Sequence, residues 1–378
     1  MILTETQEMV RDSAREFSQT HVYPNARFWE SARAFPPEVL DQMGALGYFG
    51  MTVPEEEGGA GLDYVSYALA LMEIAAGDGA LSTLMSVTNA PVCAILLAQG
   101  STDQKVRFLR LLARGTIIGA FALTEPHAGS DAANIRTTAR RVNGGYQLDG
   151  TKQYITSGAI AGVTIVFAVT DPSAGKRGIS AFLVPRGTPG LSVSRIESKL
   201  GQAASDTAQL QFDEVFVTED LRIGAEGEGY RLALSNLEVG RIGIAAQSVG
   251  MARAAFDFAV RYAKERISFG KPLTEHQAVL FRLADMETKL TAATQLVLNA
   301  AALRDAKRPC LAEACMAKLF ASETAEQICS DALQVLGGYG YTTDSPIEKI
   351  YRDVRVCQIY EGTSDIQRML IGRSIISA

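Results

Sequence analysis

Between Ile117 and about Val217 the chain loses helical periodicity, and that interruption constrains its fold more than any other feature. The stretches "VTIVFAV", "GISAFLVP" and "AQLQFDEVFV" carry the period-two, Val- and Phe-rich texture of strands. "RRVNGGYQLDGTKQYIT" adds two turn signals between short strands, Asn143-Gly144-Gly145 and Asp149-Gly150. No helical segment is interleaved among these strands. The pattern predicts an antiparallel sandwich or small barrel and not a βαβ array.

The flanking sequence reads as helices. Upstream, "DYVSYALALMEIAAG" is a helix closed by Gly77, and Pro and Gly signals separate its neighbours. Downstream, Ile242, Ala245, Val249, Ala252, Phe256 and Ala259 recur every three or four residues, as do Leu280, Leu283, Met286, Leu290, Ala293, Val297 and Ala300. Segments 311–336 and 363–376 complete an expected four-helix bundle. At 378 residues the chain exceeds what one core usually supports. The expectation is a multidomain α+β protein: an N-terminal all-α domain (1–116), a central antiparallel β domain (117–222) and a C-terminal four-helix bundle (223–378).

Several function classes fall away on composition. Net charge is −6 with no basic block, so nucleic acid is not an expected partner. Residues 79–102 carry no charge, but Ser82, Thr83, Ser86, Thr88, Asn89 and Pro91 interrupt their apolarity; a buried helix pair is expected, not a membrane span. His21, His127 and His276 are far apart, which leaves a zinc site or a His-centred triad little to build on, and no metal is expected. Five cysteines without CxxC spacing read as reduced thiols of a cytosolic-type compartment. The start, "MILTETQEMVRDSAREF", reads directly as an amphipathic helix with no signal or transit pattern. The expected location is the cytoplasm, or the mitochondrial matrix for a processed eukaryotic chain. "GAEGEGYRL" fails as a dinucleotide fingerprint, because Leu232 stands where a third glycine is needed and no parallel strand precedes it.

Five stretches carry chemistry. "FALTEPHAGSD" leaves a strand for a small-residue turn: Thr124 and Ser130 offer hydroxyls, and Ala128 and Gly129 let backbone amides approach a phosphate or a flat ring. "KQYITSG" ends a strand with an aromatic, Tyr154, and a hydroxyl, Thr156. In "YAKERISFGKPLTEHQ", Arg266 ends a long helix and a loop leads to Gln277. In "QVLGGYGY", Gly337 and Gly338 stop a helix and permit close backbone approach. In "QIYEGTSDIQ", Gly362 ends one helical pattern, Thr363 or Ser364 can cap the next, and Asp365 suits its first turn; Glu361 is left without a structural task.

In this order, "TEPHAGSD", "YITSG", "ERISFGK", "QVLGGYGY" and "QIYEGTS" closely resemble the acyl-CoA dehydrogenase family across essentially the whole chain, its short-chain and short-branched members above all. The resemblance implies FAD held non-covalently between the β domain and the C-terminal bundle. Phe121, Leu123, Thr124, Gly129 and Ser130 would line it on one side and Tyr154, Ile155 and Thr156 on the other. Arg266, Ser268, Phe269 and Gln277 would take its phosphate and adenosine half, with Thr363 and Asp365 on the adenine side. Gln334, Gly337 and Gly338 would reach the FAD of a neighbouring subunit, in a homodimer that the family commonly doubles to a tetramer.

Glu361 falls where the family keeps its general base, which takes the α-proton of an acyl thioester while the β-hydride leaves to the flavin. Ser130, Leu237, Glu238, Gly240, Arg241, Gln247, Tyr360, Gly362 and Arg373 would surround the substrate. The family's second base position, just before an arginine, is Gly240 here and cannot serve. The implied partners are an acyl-CoA and an electron-transfer flavoprotein; an oxygen-using oxidase, or an enzyme for carrier-protein thioesters, is the alternative on the same scaffold. Gln247, projecting where the acyl tail ends, predicts about four to six acyl carbons, since a buried amide disfavours an apolar tail beside it. Tyr154 and His127 stand where many members carry Trp and Gly.

Overall fold

The computed structural model describes residues 1–377. The helix Glu5–Phe17 opens with a capping box, in which the Thr4 hydroxyl accepts from Gln7 N–H and the Gln7 side chain answers to the Thr4 N–H. Tyr64–Gly77, capped by Asp63, is apolar on nearly every face, and such a helix is stable only when surrounded. It lies at the centre of the helical part of the molecule. The uncharged segment forms helices Gly79–Val87 and Ala94–Gln99 joined by a π-helical turn. By length and composition it is apolar enough to cross a membrane, yet 83% of its most apolar window is buried inside the fold. The expected buried helix pair is what forms.

The strands β1 (Gly119–Ala122), β2 (Thr138–Val142), β3 (Gly145–Thr156), β4 (Val163–Val169), β5 (Ile179–Pro185), β6 (Leu191–Ile196), β7 (Thr207–Thr218) and β8 (Arg222–Ile223) make one sheet. Its order is β6-β7-β3-β2-β4-β5-β8, with β1 against β4. The β2–β3, β3–β7, β4–β5, β5–β8 and β6–β7 pairs are antiparallel. Two contacts differ from the all-antiparallel expectation: β1 runs parallel to β4 from Gly119↔Val163 to Ala122↔Val166, and β2 touches β4 in parallel at Thr138↔Val169. The β2–β3 hairpin lies between β1 and β4 in the chain, so β1 reaches β4 by a crossover and not by a tight turn. Strand texture sets which segments pair; it does not set their direction.

The C-terminal helices are Gly229–Glu265, Gln277–Asp305, Leu311–Leu336, Ile347–Val354 and Ser364–Ser377. The first, 37 residues long, spans about 55 Å and forms the axis of the molecule. Its small residues allow close approach: a Cβ on Gly250 would lie 2.1 Å from Met72 O of the Tyr64–Gly77 helix. Buried Glu73 crosses the same seam, paired with Arg253 at 2.6 Å and Arg15 at 3.0 Å.

Apolar side chains collect in two cores, not three. One joins the two ends of the chain, packing Ala14, Trp29, Leu71 and Ile74 with Ile242, Val249, Met286 and Ile328. The other belongs to the sheet, where Tyr146, Phe167, Phe182 and Phe212 pack with Val92, Leu109 and Leu112 from the N-terminal helices. The active-site region is built along the border of the two.

Candidate active site

Glu361 stands on a turn between Arg355–Gln358 and Ser364–Ser377. It adopts φ +56°, and Gly362 follows at +92°. Glycine takes this conformation freely, whereas for a residue with a Cβ it costs about 1–2 kcal/mol. The surroundings hold it there. Gly362 O accepts from Lys318 Nζ at 2.7 Å and from Gln367 Nε2 at 2.8 Å. The Thr363 hydroxyl accepts from Ile366 N–H and caps the next helix, as one of the two sequence alternatives expected.

The turn aims the Glu361 carboxylate at Gly240 in the middle of the long helix. A Cβ on Gly240 would lie 2.4 Å from Glu361 Oε2 and 2.9 Å from its carboxyl carbon. The glycine that cannot act as a base thus makes the space that the Glu361 carboxylate occupies. Oε2 is buried without a hydrogen-bond partner, and so is Nε of the neighbouring, buried Arg241. Burial pushes Glu361 up to about 7, against the pull of the Arg241 and Lys318 charges. A half-buried carboxylate with one oxygen sealed from solvent, ionising near neutrality, is poised to accept a proton.

Next to Glu361 the interior is closed by a polar plug. Gln247 is fully buried, its Nε2 lying 2.8 Å from Gly79 O, 2.8 Å from Ser82 Oγ and 2.6 Å from Thr83 Oγ1. Its Oε1 accepts from the Tyr360 hydroxyl. Gln202, from the loop between β6 and β7, brings the sheet into this cluster: Thr83 donates to its Oε1 at 2.7 Å, and its Nε2 reaches Tyr360 Oη at 3.5 Å.

On the sheet side, Thr124 and Tyr154 stand at neighbouring strand ends, joined where Gln153 N–H donates to Thr124 O at 2.9 Å. The β3–β7 register breaks between Lys152 and Ile155. Within that break Tyr154 takes φ +59° and turns its ring outward, 60% exposed, while Ile155 points into the sheet core. A bulge that re-aims one side chain in this way is a common device beside functional sites. Under the loop, buried Lys152 donates to Leu123 O at 3.0 Å and Glu125 Oε1 at 2.7 Å, and Glu125 also accepts from Arg136 and Thr137 N–H. Phe121 is partly buried, and Gly129 and Ser130 are exposed.

The third group lies at the far end of the long helix. Arg266 is its C-cap. Ser268 O faces His276 Nε2 at 3.0 Å, Phe269 is 95% exposed, and Gln277 starts the next helix. Tyr262 stacks on Tyr339 at 5.7 Å, which sets the Gln334–Gly337–Gly338 stretch beside this helix end. Asp365 and Arg373 are exposed on the C-terminal helix, Glu238 pairs with Arg304 at 3.3 Å, and the Leu237 side chain lies outside the described residues.

Sequence reasoning missed Lys152, Glu125, Thr83, Gln202, Lys318 and Gln367. Lys152 had left a signal, since period two from Leu148 puts it on the inward face of β3. The others owe their positions to long-range packing.

These residues fit a flavin dinucleotide. An outward aromatic and a hydroxyl flank one strand end, a second bare aromatic stands beside Arg266, and a Cβ on Gly129, Gly337 or Gly338 would meet nothing within 4 Å. A flat ring and a pyrophosphate need such open faces with backbone amides nearby. The fold and this site together define an FAD-dependent oxidoreductase.

The chain belongs to the acyl-CoA dehydrogenase family. It matches that family's N-terminal domain over residues 4–116, its middle domain over 120–215 and its C-terminal domain over 227–376. It is 45% identical over 374 residues to the mitochondrial short-chain specific acyl-CoA dehydrogenase of Homo sapiens, covering 99% of this chain and 91% of that one. Among solved structures it is similar to butyryl-CoA dehydrogenase from Megasphaera elsdenii, with TM-score 0.96, 38% identity and coverage of 100% and 99%. It is likewise similar to a chain from work on the electron transferring flavoprotein of Acidaminococcus fermentans, with TM-score 0.97, 41% identity and full coverage of both chains.

Proposed function

We propose that the chain converts a short acyl-CoA to its 2-enoyl-CoA with Glu361 as the base and an electron-transfer flavoprotein as acceptor. The observation that carries this reading is the Glu361 carboxylate, its Oε2 buried and unpartnered, seated over Gly240 beside the Gln247 plug. In this reading the substrate's α-carbon sits against Glu361, and its proton passes to Oε2, the oxygen with no partner of its own. FAD, when bound, supplies the acceptor for the hydride that leaves the β-carbon. Thr124, Tyr154 and Thr156 would hold its ring end, Ser130 would lie near its pyrophosphate, Arg266 and Gln277 would take its phosphate and adenosine half, and Gln334, Gly337 and Gly338 would reach the FAD of a second copy of the chain. The Glu361 N–H, fixed by the turn, is the donor available to a thioester oxygen, and Arg241 keeps the emptied base ionisable near neutrality.

The plug supports a short acyl group. Gln247 has its amide engaged by Gly79 O, Ser82, Thr83 and Tyr360 and cannot swing aside without giving up those hydrogen bonds, so a longer tail meets a fixed wall. The opposite end supports a nucleotide-bearing thioester. A cleft of about 480 Å³ is lined by Lys176, Arg177, Tyr230, Arg231, Leu234 and Glu238. Arg231 lies about 15 Å along the helix from buried Arg241 and about 80° around it, so a pantetheine arm running outward from Arg241 to this cleft would bring its phosphates to a cationic rim. Exposed Phe269, Phe281 and Tyr341 support a second copy of the chain packing on the C-terminal helices.

The test is anaerobic flavin bleaching by a panel of acyl-CoAs, with and without an electron-transfer flavoprotein. Butyryl- to hexanoyl-CoA should bleach fastest and transfer to the flavoprotein should outrun oxygen. Faster bleaching by octanoyl-CoA would overturn the length assignment, and rapid oxygen consumption would favour an oxidase.

A further inference from the structure

We infer that Lys318 is a positioning residue for proton transfer: its buried ammonium fastens the turn that presents Glu361 and supplies positive charge against that carboxylate. The inference rests on the reading of Glu361 as the base.

Lys318 lies on the Leu311–Leu336 helix and is fully buried. Such a lysine is costly to keep charged and is normally paired. Among the described residues it makes no salt bridge within 4.0 Å; its hydrogen bond goes to a neutral carbonyl, Gly362 O. That carbonyl already has a donor in Gln367. A methionine would fill similar space without the cost of burying charge, so satisfying Gly362 does not account for an ammonium here. What does account for it is the carboxylate one residue earlier.

The groups facing Lys318 are Glu361, Arg241 from the long helix, Cys315 one turn earlier on its own helix, and Cys357 from the preceding turn; Tyr67 adds a hydroxyl on the Glu361 side. Burial lowers Lys318 to about 8, so it stays charged at neutral pH. Burial alone would keep Glu361 protonated at neutral pH. Two cations, Arg241 and Lys318, draw its ionisation back toward the working range. The clamp at Gly362 also sets where the carboxylate lies over Gly240.

Two variants separate the charge from the clamp. Lys318→Gln keeps a donor for Gly362 and removes the charge; Lys318→Met removes both. The readouts are the pH profile of flavin bleaching and the infrared carboxyl band of Glu361, assigned by its absence in Glu361→Gln. An opposite charge this close shifts a carboxyl by about one unit or more. Both midpoints should therefore move up by about one pH unit in each variant, with roughly fivefold slower bleaching at pH 7. Lys318→Gln should recover the parent rate at higher pH, whereas Lys318→Met should reach a lower plateau. FAD content should not change. Midpoints that superimpose on the parent's overturn the inference. If neither variant folds, the reciprocal effect decides: the Lys318 ammonium, titrated by nitrogen NMR, should have a lower midpoint in Glu361→Gln than in the parent, and an unmoved midpoint overturns the inference. Glu361→Gln is run in parallel. Parent-like bleaching there removes the base assignment itself, while a dead Glu361→Gln with unmoved Lys318 profiles removes the Lys318 inference alone.

Discussion

Replacing Gly240 by alanine should separate stability from catalysis in opposite directions. The added Cβ would lie 2.4 Å from Glu361 Oε2, against an ordinary contact of about 3.5 Å, so something must recede by about 1 Å. The helix backbone cannot, because it is packed on both sides; the carboxylate is the far end of a flexible side chain and can. Alanine in a helix interior also gains about 0.5–1 kcal/mol over glycine. The variant should therefore fold, bind FAD and melt at or slightly above the parent's Tm. A reacting group misplaced by about 1 Å costs on the order of 10²-fold in rate. Rapid-mixing measurement of flavin bleaching by butyryl-CoA, beside thermal melting of the same preparations, gives both quantities. Bleaching within threefold of the parent, with unchanged Tm, would mean that the carboxylate does not need its place over Gly240 and that this site is not organised around it.

Glu361 should also leave a mark on stability. Its carboxyl ionises near 7 in the folded chain against 4.5 unfolded. The folded state thus holds the extra proton, and stability falls as pH rises between those values, by about 3 kcal/mol. Glu361→Gln should be more stable than the parent at pH above 7 and lose that advantage in acid; denaturant melts at several pH values check this, and parallel curves would contradict the burial argument. Gln247→Ala should raise the octanoyl-to-butyryl ratio of kcat/KM by about tenfold or more and cost about 1–3 kcal/mol through the hydrogen bonds lost to Gly79 O, Ser82, Thr83 and Tyr360; an unchanged ratio would move the end of the tail pocket elsewhere. Lys152→Met takes the buried ammonium from Glu125 and leaves it the Arg136 and Thr137 N–H donors and His127 at 3.6 Å, which should cost about 3–5 kcal/mol and loosen the Thr124 loop, read as lower Tm and lower flavin content. A variant that melts and retains FAD like the parent would show that the ion pair does not hold the loop.

The order α, β, α was legible because periodicity is local, and Glu361 stood out as a candidate base because "QIYEGTS" carries a charge that capping does not need. What Gly240 does was not legible. Its sequence context says only that it cannot ionise; that its missing side chain houses Glu361 follows from a turn crossing a helix more than a hundred residues away in the chain. The left-handed backbone at Glu361 was hidden for a similar reason, since only Gly362 advertises such a conformation and Lys318 and Gln367 impose it from other helices. The parallel β1–β4 contact and the shared core of the two helical ends were equally unreadable. Periodicity tells which face is buried and leaves open what it is buried against.

The core shared by the two ends has a consequence during synthesis. The apolar faces of the first helices, Ala14 to Ala75, are completed by residues from Ile242 to Ile328. At about 5–20 residues per second the ribosome needs roughly 10–50 s to deliver the second set after the first. For that interval the emerging chain carries an open hydrophobic surface, while the sheet, whose core partners run from Val53 to Ala233, is complete before Ile242 is made. The nascent chain is thus a folded β unit trailing unfinished helices. It depends on holding chaperones until the long helix arrives, and a truncation before Ile242 should aggregate even though it contains two complete sequence-defined domains.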